Sequence, residues 1–302
     1  MRRSLLQIAL AGLLALSAPN VRAETLEDDL KGLTEEQIGD TVEFAFGNAL
    51  FFLFHEAGHM LVSEFDLPVL GREEDAVDTL STLLLLEAGA DVFETALIDS
   101  VDGWTLSAEA SEAAEHEQIL WDAHGLDRQR AFNMVCLMVG KDAEKFTESA
   151  DDLELPAGRR QECVNEYQKA HASWFGVLKP HVRNDDQKSK FTITYKPAKN
   201  NDLKDYADLV KEAQVLEILQ ELVSGLYKLD DGIKLTAAEC GEPNAYWSAG
   251  GREVTYCYEL MQWHAQAIAR YFKENGESGE EEKQEETKPG LKFVFGKATA
   301  RQ

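Results

Sequence analysis

The residues with the most chemistry to offer lie between Phe51 and Asp78, in the stretch FFLFHEAGHMLVSEFDLPVLGREEDAVD. Its centre, His55-Glu56-Ala57-Gly58-His59, is an H-E-x-x-H pentapeptide inside an apolar run. If residues 51–64 are helical, the i, i+4 spacing sets both imidazoles on one face, one turn apart, as two ligands of a tetrahedral zinc require. Glu56, one step round the helix, reaches a water on the metal without ligating it. Gly58 has no side chain and lets another backbone approach close to the metal.

A zinc hydrolase needs a third protein ligand and leaves the fourth position to water. The chain next supplies a short break, Asp66 to Gly71, punctuated by Pro68 and Gly71. A second amphipathic helix is expected from Arg72 to Ala88, stopped by Gly89. A loop this short makes the two helices pack antiparallel or steeply crossed, so carboxylates in the first turn of the second helix face the histidines. Glu74 and Asp78 share a face at i, i+4. Glu74 is therefore the expected zinc ligand, and Asp78 the carboxylate that hydrogen-bonds a ligating imidazole. Glu73 points about 100° away and is the alternative ligand. Anions are favoured at a helix N-terminus anyway, which explains one or two of Glu73, Glu74 and Asp75 but not the pair aligned with Asp78.

The stretch HEAGHMLVSEFDLPVLGREEDAVD resembles a family of secreted bacterial metallopeptidase-type proteins of otherwise unknown function. It is similar also to the wider gluzincin group, in which a glutamate on a later helix completes the zinc site and an aspartate often follows four residues on. That resemblance implies a predominantly helical, zincin-like α+β domain with a small sheet or hairpin, and supports Glu74 and Asp78 in their roles. It extends through residues 122–130 and the stretch from Cys240 to Leu260. In many gluzincin-like peptidases an Asn-Ala-aromatic hairpin stands just before the motif helix and lines the substrate cleft. Here Asn244-Ala245-Tyr246-Trp247 comes about 180 residues after the motif, so the order differs. The same cleft edge is reached from the other end of the chain, or the hairpin is a stapled structural one.

Peptide hydrolysis also benefits from a donor to the oxyanion. His124 and Arg130, in the stretch WDAHGLDRQR, are the candidates; otherwise Arg130 pairs with a carboxylate and His124 caps a turn. His116, His171, His181 and His264 have no matching partner pattern.

The other elements must carry and enclose these residues. Thr25 to Ile38 is helical in pattern, and Thr41 to Phe54 is dense in Phe, Leu and Ala, with Gly47-Asn48 as a candidate break. Helical patterns follow at residues 91–97, 107–122, 131–139 and 162–174, then one long helix at 203–229 and a closing one at 258–273. Residues 191–195 alternate as a strand, and residues 233–258 read as the main β region, a hairpin around Ser248–Gly251.

Composition limits the partners. Residues 1–23 read as a secretory signal: Arg2 and Arg3, an apolar core too short to span a bilayer comfortably, and the cleavage site Val21-Arg22-Ala23. Without Arg2, Arg3 and Arg22 the basic count falls from 30 to 27 against 55 acidic residues, a formal charge of −28. Such a chain repels nucleic acid and anionic lipid. The expected protein is exported to the periplasm or extracellular space, with no stable membrane anchor after signal cleavage. Its domain runs over 24–273, followed by an acidic tail, 274–302, expected to be disordered apart from an apolar island at Leu291–Phe295. Cys136, Cys163, Cys240 and Cys257 allow three pairings. Cys136–Cys163 and Cys240–Cys257 are favoured because each brackets one local unit. The resulting expectation is a peptidase acting on a peptide or protein substrate, with one Zn2+ per chain on His55, His59 and Glu74 and with Glu56 as general base. The rival is a non-catalytic zinc-containing binding module.

Overall fold

In the computed structural model, which describes residues 25–276, a short helix Leu26–Leu30 (α1) leads into one of 31 residues, Glu35–Phe65 (α2). Thr34 caps α2 by accepting from the Gln37 N–H, while the Gln37 side chain accepts from the Thr34 N–H. The helix ends at Asp66, whose left-handed backbone (φ 50°) turns the chain out of it. From Phe44 to Val62 nearly every residue is buried, as expected for a helix apolar almost all round. The candidate break at Gly47-Asn48 is absent. A Cβ on Gly47 would stand 2.1 Å from Asp99 Oδ2, and the Asn48 amide donates to the carbonyls of Phe44 and Asp99. These two residues admit a neighbouring helix at close range; they do not interrupt their own.

That neighbour is Asp91–Ala113, which follows the second motif helix, Glu73–Ala88 (α3), after a left-handed Gly89 (φ 65°). It is one continuous helix, α4, so the two separate patterns expected at 91–97 and 107–122 are corrected. Gly103 lies against Asn48, where a Cβ would come 2.3 Å from Oδ1, and marks the crossing of α2 and α4. Residues 114–126 form an exposed loop instead of helix, because they bury no apolar face. Next come Asp127–Lys141 (α5), Thr147–Asp152 (α6) and Ala157–Leu178 (α7), the last starting directly after Pro156. The long helix expected at 203–229 is two, Lys204–Glu212 (α8) and Val215–Leu226 (α9), separated by a left-handed Gln214 (φ 53°). The break lets α8 pack on the closing helix Tyr258–Asn275 (α10) while α9 packs on α2.

The fold is α+β and mostly helical, with one mixed sheet ordered β1-β2-β4-β3. Its strands are Thr192–Tyr195 (β1), Lys234–Ala238 (β2), Ala245–Ser248 (β3) and Glu253–Cys257 (β4). β1, β2 and β4 are parallel; β3 returns antiparallel on the edge, with Tyr246 opposite Thr255 and Trp247 opposite Val254. The turn between β3 and β4 is fastened to the motif helix by Arg252, whose guanidinium donates to both carboxylate oxygens of Glu64 at 2.8 and 2.6 Å. Disulfides join Cys136 to Cys163, stapling α5 to α7, and Cys240 to Cys257 at the base of the hairpin, the two local pairings expected. Bonds of this kind persist in oxidising compartments. Among the described residues no helix is long and apolar enough to cross a membrane. The expected signal segment and the tail beyond Gly276, with Leu291–Phe295, lie outside the described residues.

Candidate metal centre

The first turn of α3 meets the middle of α2 because Gly58 leaves room for it. A Cβ there would come 2.8 Å from the Val77 side chain and 3.4 Å from its Cα, so α3 seats directly on the motif turn. Three imidazoles then converge on one oxygen. Nε2 of His55, His59 and His124 lies 3.1, 3.2 and 3.1 Å from Oε2 of Glu74. His55 and His59 come from α2 at i, i+4; His124 comes from the loop before α5 and stacks over His55 with 6.3 Å between ring centroids.

Each ring is also held from behind. Nδ1 of His55 bonds Asp78 at 2.8 Å, Nδ1 of His59 bonds Glu73 at 2.7 Å, and Nδ1 of His124 bonds Asp122 at 3.0 Å. A carboxylate on Nδ1 fixes the ring's orientation and holds a proton on that side, which leaves Nε2 as the atom that donates to Glu74 here and that would give its lone pair to a bound metal. Asp78 is fixed in turn by Arg130, which donates from Nε and a terminal nitrogen at 2.7 Å each. The Arg130 guanidinium sits 3.7 Å from the centre of the Trp104 ring, a cation–π contact that keeps it in place.

The electrostatics follow from this packing. Hydrogen bonds from His124, His55 and His59 hold the Glu74 carboxyl far below the usual carboxylate range. Burial works against a charged His59, but hydrogen bonds to Glu74 and Glu73 outweigh it and raise its pKa to about 9. Burial likewise opposes a charged His55, and the bonds to Asp78 and Glu74 again prevail in the upward direction. His124 is raised chiefly by its bond to Glu74. Each of the three imidazoles thus has a carboxylate of its own on Nδ1 and shares Glu74 on Nε2, an arrangement that favours the charged form of the rings. Histidine nitrogens gathered round one carboxylate oxygen fit a transition metal better than calcium or magnesium, which prefer oxygen. Donor atoms of His55, Glu74 and His124 lie within 4.8 Å of one another, a grouping that could hold an ion.

Glu56 lies beside this cluster, buried, with its pKa raised by burial against the opposing charges of His55 and His59 and the backbone N–H of Trp247. Both belong to a cleft of about 740 Å³ whose floor is α2 at Phe52–Ser63 and whose far wall is Asn244–Trp247 of the edge strand. Sequence reasoning grouped His55, His59, Glu74 and Asp78; it did not foresee that Glu73 braces His59 or that His124 joins the donors. The Asp122-Ala123-His124 spacing was the available signal for the second. Arg130 reaches the cleft wall with its guanidinium already engaged by Asp78.

A protein-family model described as "Putative metallopeptidase" matches residues 21–178 and 195–297. The chain belongs to this family. Membership implies a metal and agrees with the clustered His and Glu donors. The metallopeptidase match takes in α2, α3, the His124 loop and strands β2 to β4, so every element bordering the cleft lies inside it. Comparison with the curated proteins and with the solved structures gives no match.

Proposed function

We propose that this member of the metallopeptidase family is an exported zinc peptidase that hydrolyses peptide bonds with Glu56 as general base. The observation that carries the reading is the meeting of three imidazole Nε2 atoms on one Glu74 oxygen with a buried carboxylate, Glu56, next to them. His55, His59 and Glu74 would hold the zinc, with Asp78 and Glu73 orienting the rings. Bound zinc supplies a Lewis acid for the scissile carbonyl and lowers the pKa of water to about 7.

The chain's own residues do the rest. Glu56, whose pKa burial raises, takes a proton from the attacking water and returns it to the leaving amine. His124, whose charged form is favoured by its bonds to Glu74 and Asp122, donates from Nε2 to the developing oxyanion. Arg130 acts one step back by fixing Asp78. The edge strand β3 offers main-chain hydrogen bonds to an extended peptide lying along the cleft.

The test is metal analysis of the purified protein together with a peptide-library assay on wild type and Glu56→Gln. We expect about one zinc per chain in both proteins. Cleavage should drop about 10²-fold or more in the variant. Undiminished cleavage by the zinc-loaded variant would remove Glu56 from the mechanism. Zinc without cleavage in either protein would turn the reading to a non-catalytic binding module.

A further inference from the structure

The mouth of the cleft has an unusual surface. Nine large apolar side chains are exposed among the described residues: Tyr246 lines the cleft, and Leu70, Ile119, Leu120 and Trp121 stand on the two loops that lead into Glu74 and His124. Leu70 is 98% exposed, Trp121 82% and Leu120 75%, so these side chains bury almost nothing in their own fold. They are grouped for a structural reason. The loop before α3 and the loop that carries His124 are tied together by Arg72, whose guanidinium donates to the His124 carbonyl at 3.1 Å. Gly125 lies close against Asp75, so the two loops form one rim. Tyr246, on the edge strand, stands on the opposite wall.

The same rim is acidic. Asp66, Glu115 and Glu117 are exposed, and none of them enters an ion pair among the described residues. The nearby cations are already taken: Arg72 by Asp75, Arg128 by Glu112 and Arg130 by Asp78. A lipid surface fits this poorly, since anionic headgroups meet like charge and neutral ones gain nothing from the carboxylates. A peptide that carries apolar side chains between lysines or arginines fits both features at once. Burial of Leu120 and Trp121 would supply affinity, and the unpaired carboxylates would supply attraction at a distance and register.

We infer that the rim formed by the loops 66–72 and 114–126 selects cationic amphipathic polypeptide segments and feeds them to the cleft. This rests on the peptidase reading for the fate of the peptide, but not for its capture. The experiment therefore measures binding apart from cleavage, on the full chain carrying Glu56→Gln. The probes are three labelled peptides of equal length: leucines alternating with lysines, leucines alternating with glutamates, and serines alternating with lysines. The leucine–lysine peptide should bind about tenfold or more tighter than either control, and weaken as salt is raised. Leu120→Ser with Trp121→Ser should abolish the preference for leucine, and Glu115→Gln with Glu117→Gln should reduce the preference for lysine. Equal binding of all three peptides would overturn the inference, as would a preference that survives the Leu120/Trp121 change. Capture of the chain by phosphatidylcholine vesicles in place of the peptide, or self-association through the rim seen by sedimentation and lost in the same variant, would overturn it as well. Wild type that binds with this preference but cuts nothing would uphold the rim and sink the peptidase. Cleavage indifferent to peptide chemistry would do the reverse.

Discussion

Arg130 and Asp78 meet through two hydrogen bonds of 2.7 Å, both side chains largely buried, and it is the same Asp78 that receives Nδ1 of His55. Arg130 thus fixes the carboxylate that orients His55, one of the proposed metal donors. Asp78→Asn should keep the fold and lower metal affinity by about 10–100-fold, the usual effect of losing a carboxylate behind a ligating imidazole. Arg130→Gln should do the same, and each change should destabilise, by about 3–5 kcal/mol, because it removes one member of a buried ion pair. Metal titration with a competing chelator and denaturant unfolding of the chelated proteins separate the two effects. Unchanged metal affinity in both variants would break the proposed chain from Trp104 to His55.

Four donors compete for three ligand roles, and substitution can rank them. Glu74→Gln should lose metal far more readily than Glu73→Gln, since Glu73 only braces His59. His59→Ala should release the metal, whereas His124→Ala should retain it and lose turnover. If His124→Ala empties the site and His59→Ala does not, the metal sits on His55, Glu74 and His124, whose donor atoms are the ones grouped within 4.8 Å.

Gly58 offers a test of the helix crossing. Any side chain there meets Val77 at 2.8 Å, one residue before Asp78. Gly58→Ala should cost about 1–3 kcal/mol through overpacking, despite the better helix propensity of alanine. Relief by Val77→Ala in the double variant, read by thermal unfolding, would show that the clash is with that side chain.

Asp99 gives a pH dependence remote from the metal donors. Burial, then the charges of Asp102, Glu43 and Asp40, push its pKa well above the usual range, and its Oδ2 has no hydrogen-bond partner. The folded state therefore binds more protons than the unfolded chain once pH exceeds about 3.9, and stability falls as pH rises from there toward the folded pKa. Asp99→Asn mimics the protonated form. It should raise Tm at pH 8 by about 2–4 °C, corresponding to roughly 1 kcal/mol for a chain of this size, and the gain should vanish near pH 4. A variant less stable than wild type at both pH values would contradict this.

The motif was legible because its physics is local. Helical spacing alone aligns His55 with His59 and Glu74 with Asp78, and a short loop leaves two helices few ways to pack. The disulfide pairs and the β3–β4 hairpin were local as well. What failed were boundaries decided by distant contacts. Gly47 and Gly103 look like helix breakers in isolation, yet each is a notch for the partner helix at the crossing of α2 with α4. The break at Gln214 has no breaker residue to announce it. Glu73 behind His59 depends on the rotation of α3, which periodicity narrows without settling.

The late position of the edge strand has a consequence in time. His124 is followed by 120 residues before Ala245, so the last metal donor is made well ahead of the wall it works against. At synthesis rates of about 5–20 residues per second, roughly 6–24 s separate the two. Whether leaving the ribosome or threading a pore N-terminus first, the growing chain has all its proposed metal donors while Glu64 still waits for Arg252. On the proposed reading, a half-made molecule of this kind would hold the metal donors but no groove to seat a peptide in, and so would not cut itself or its neighbours before it is complete.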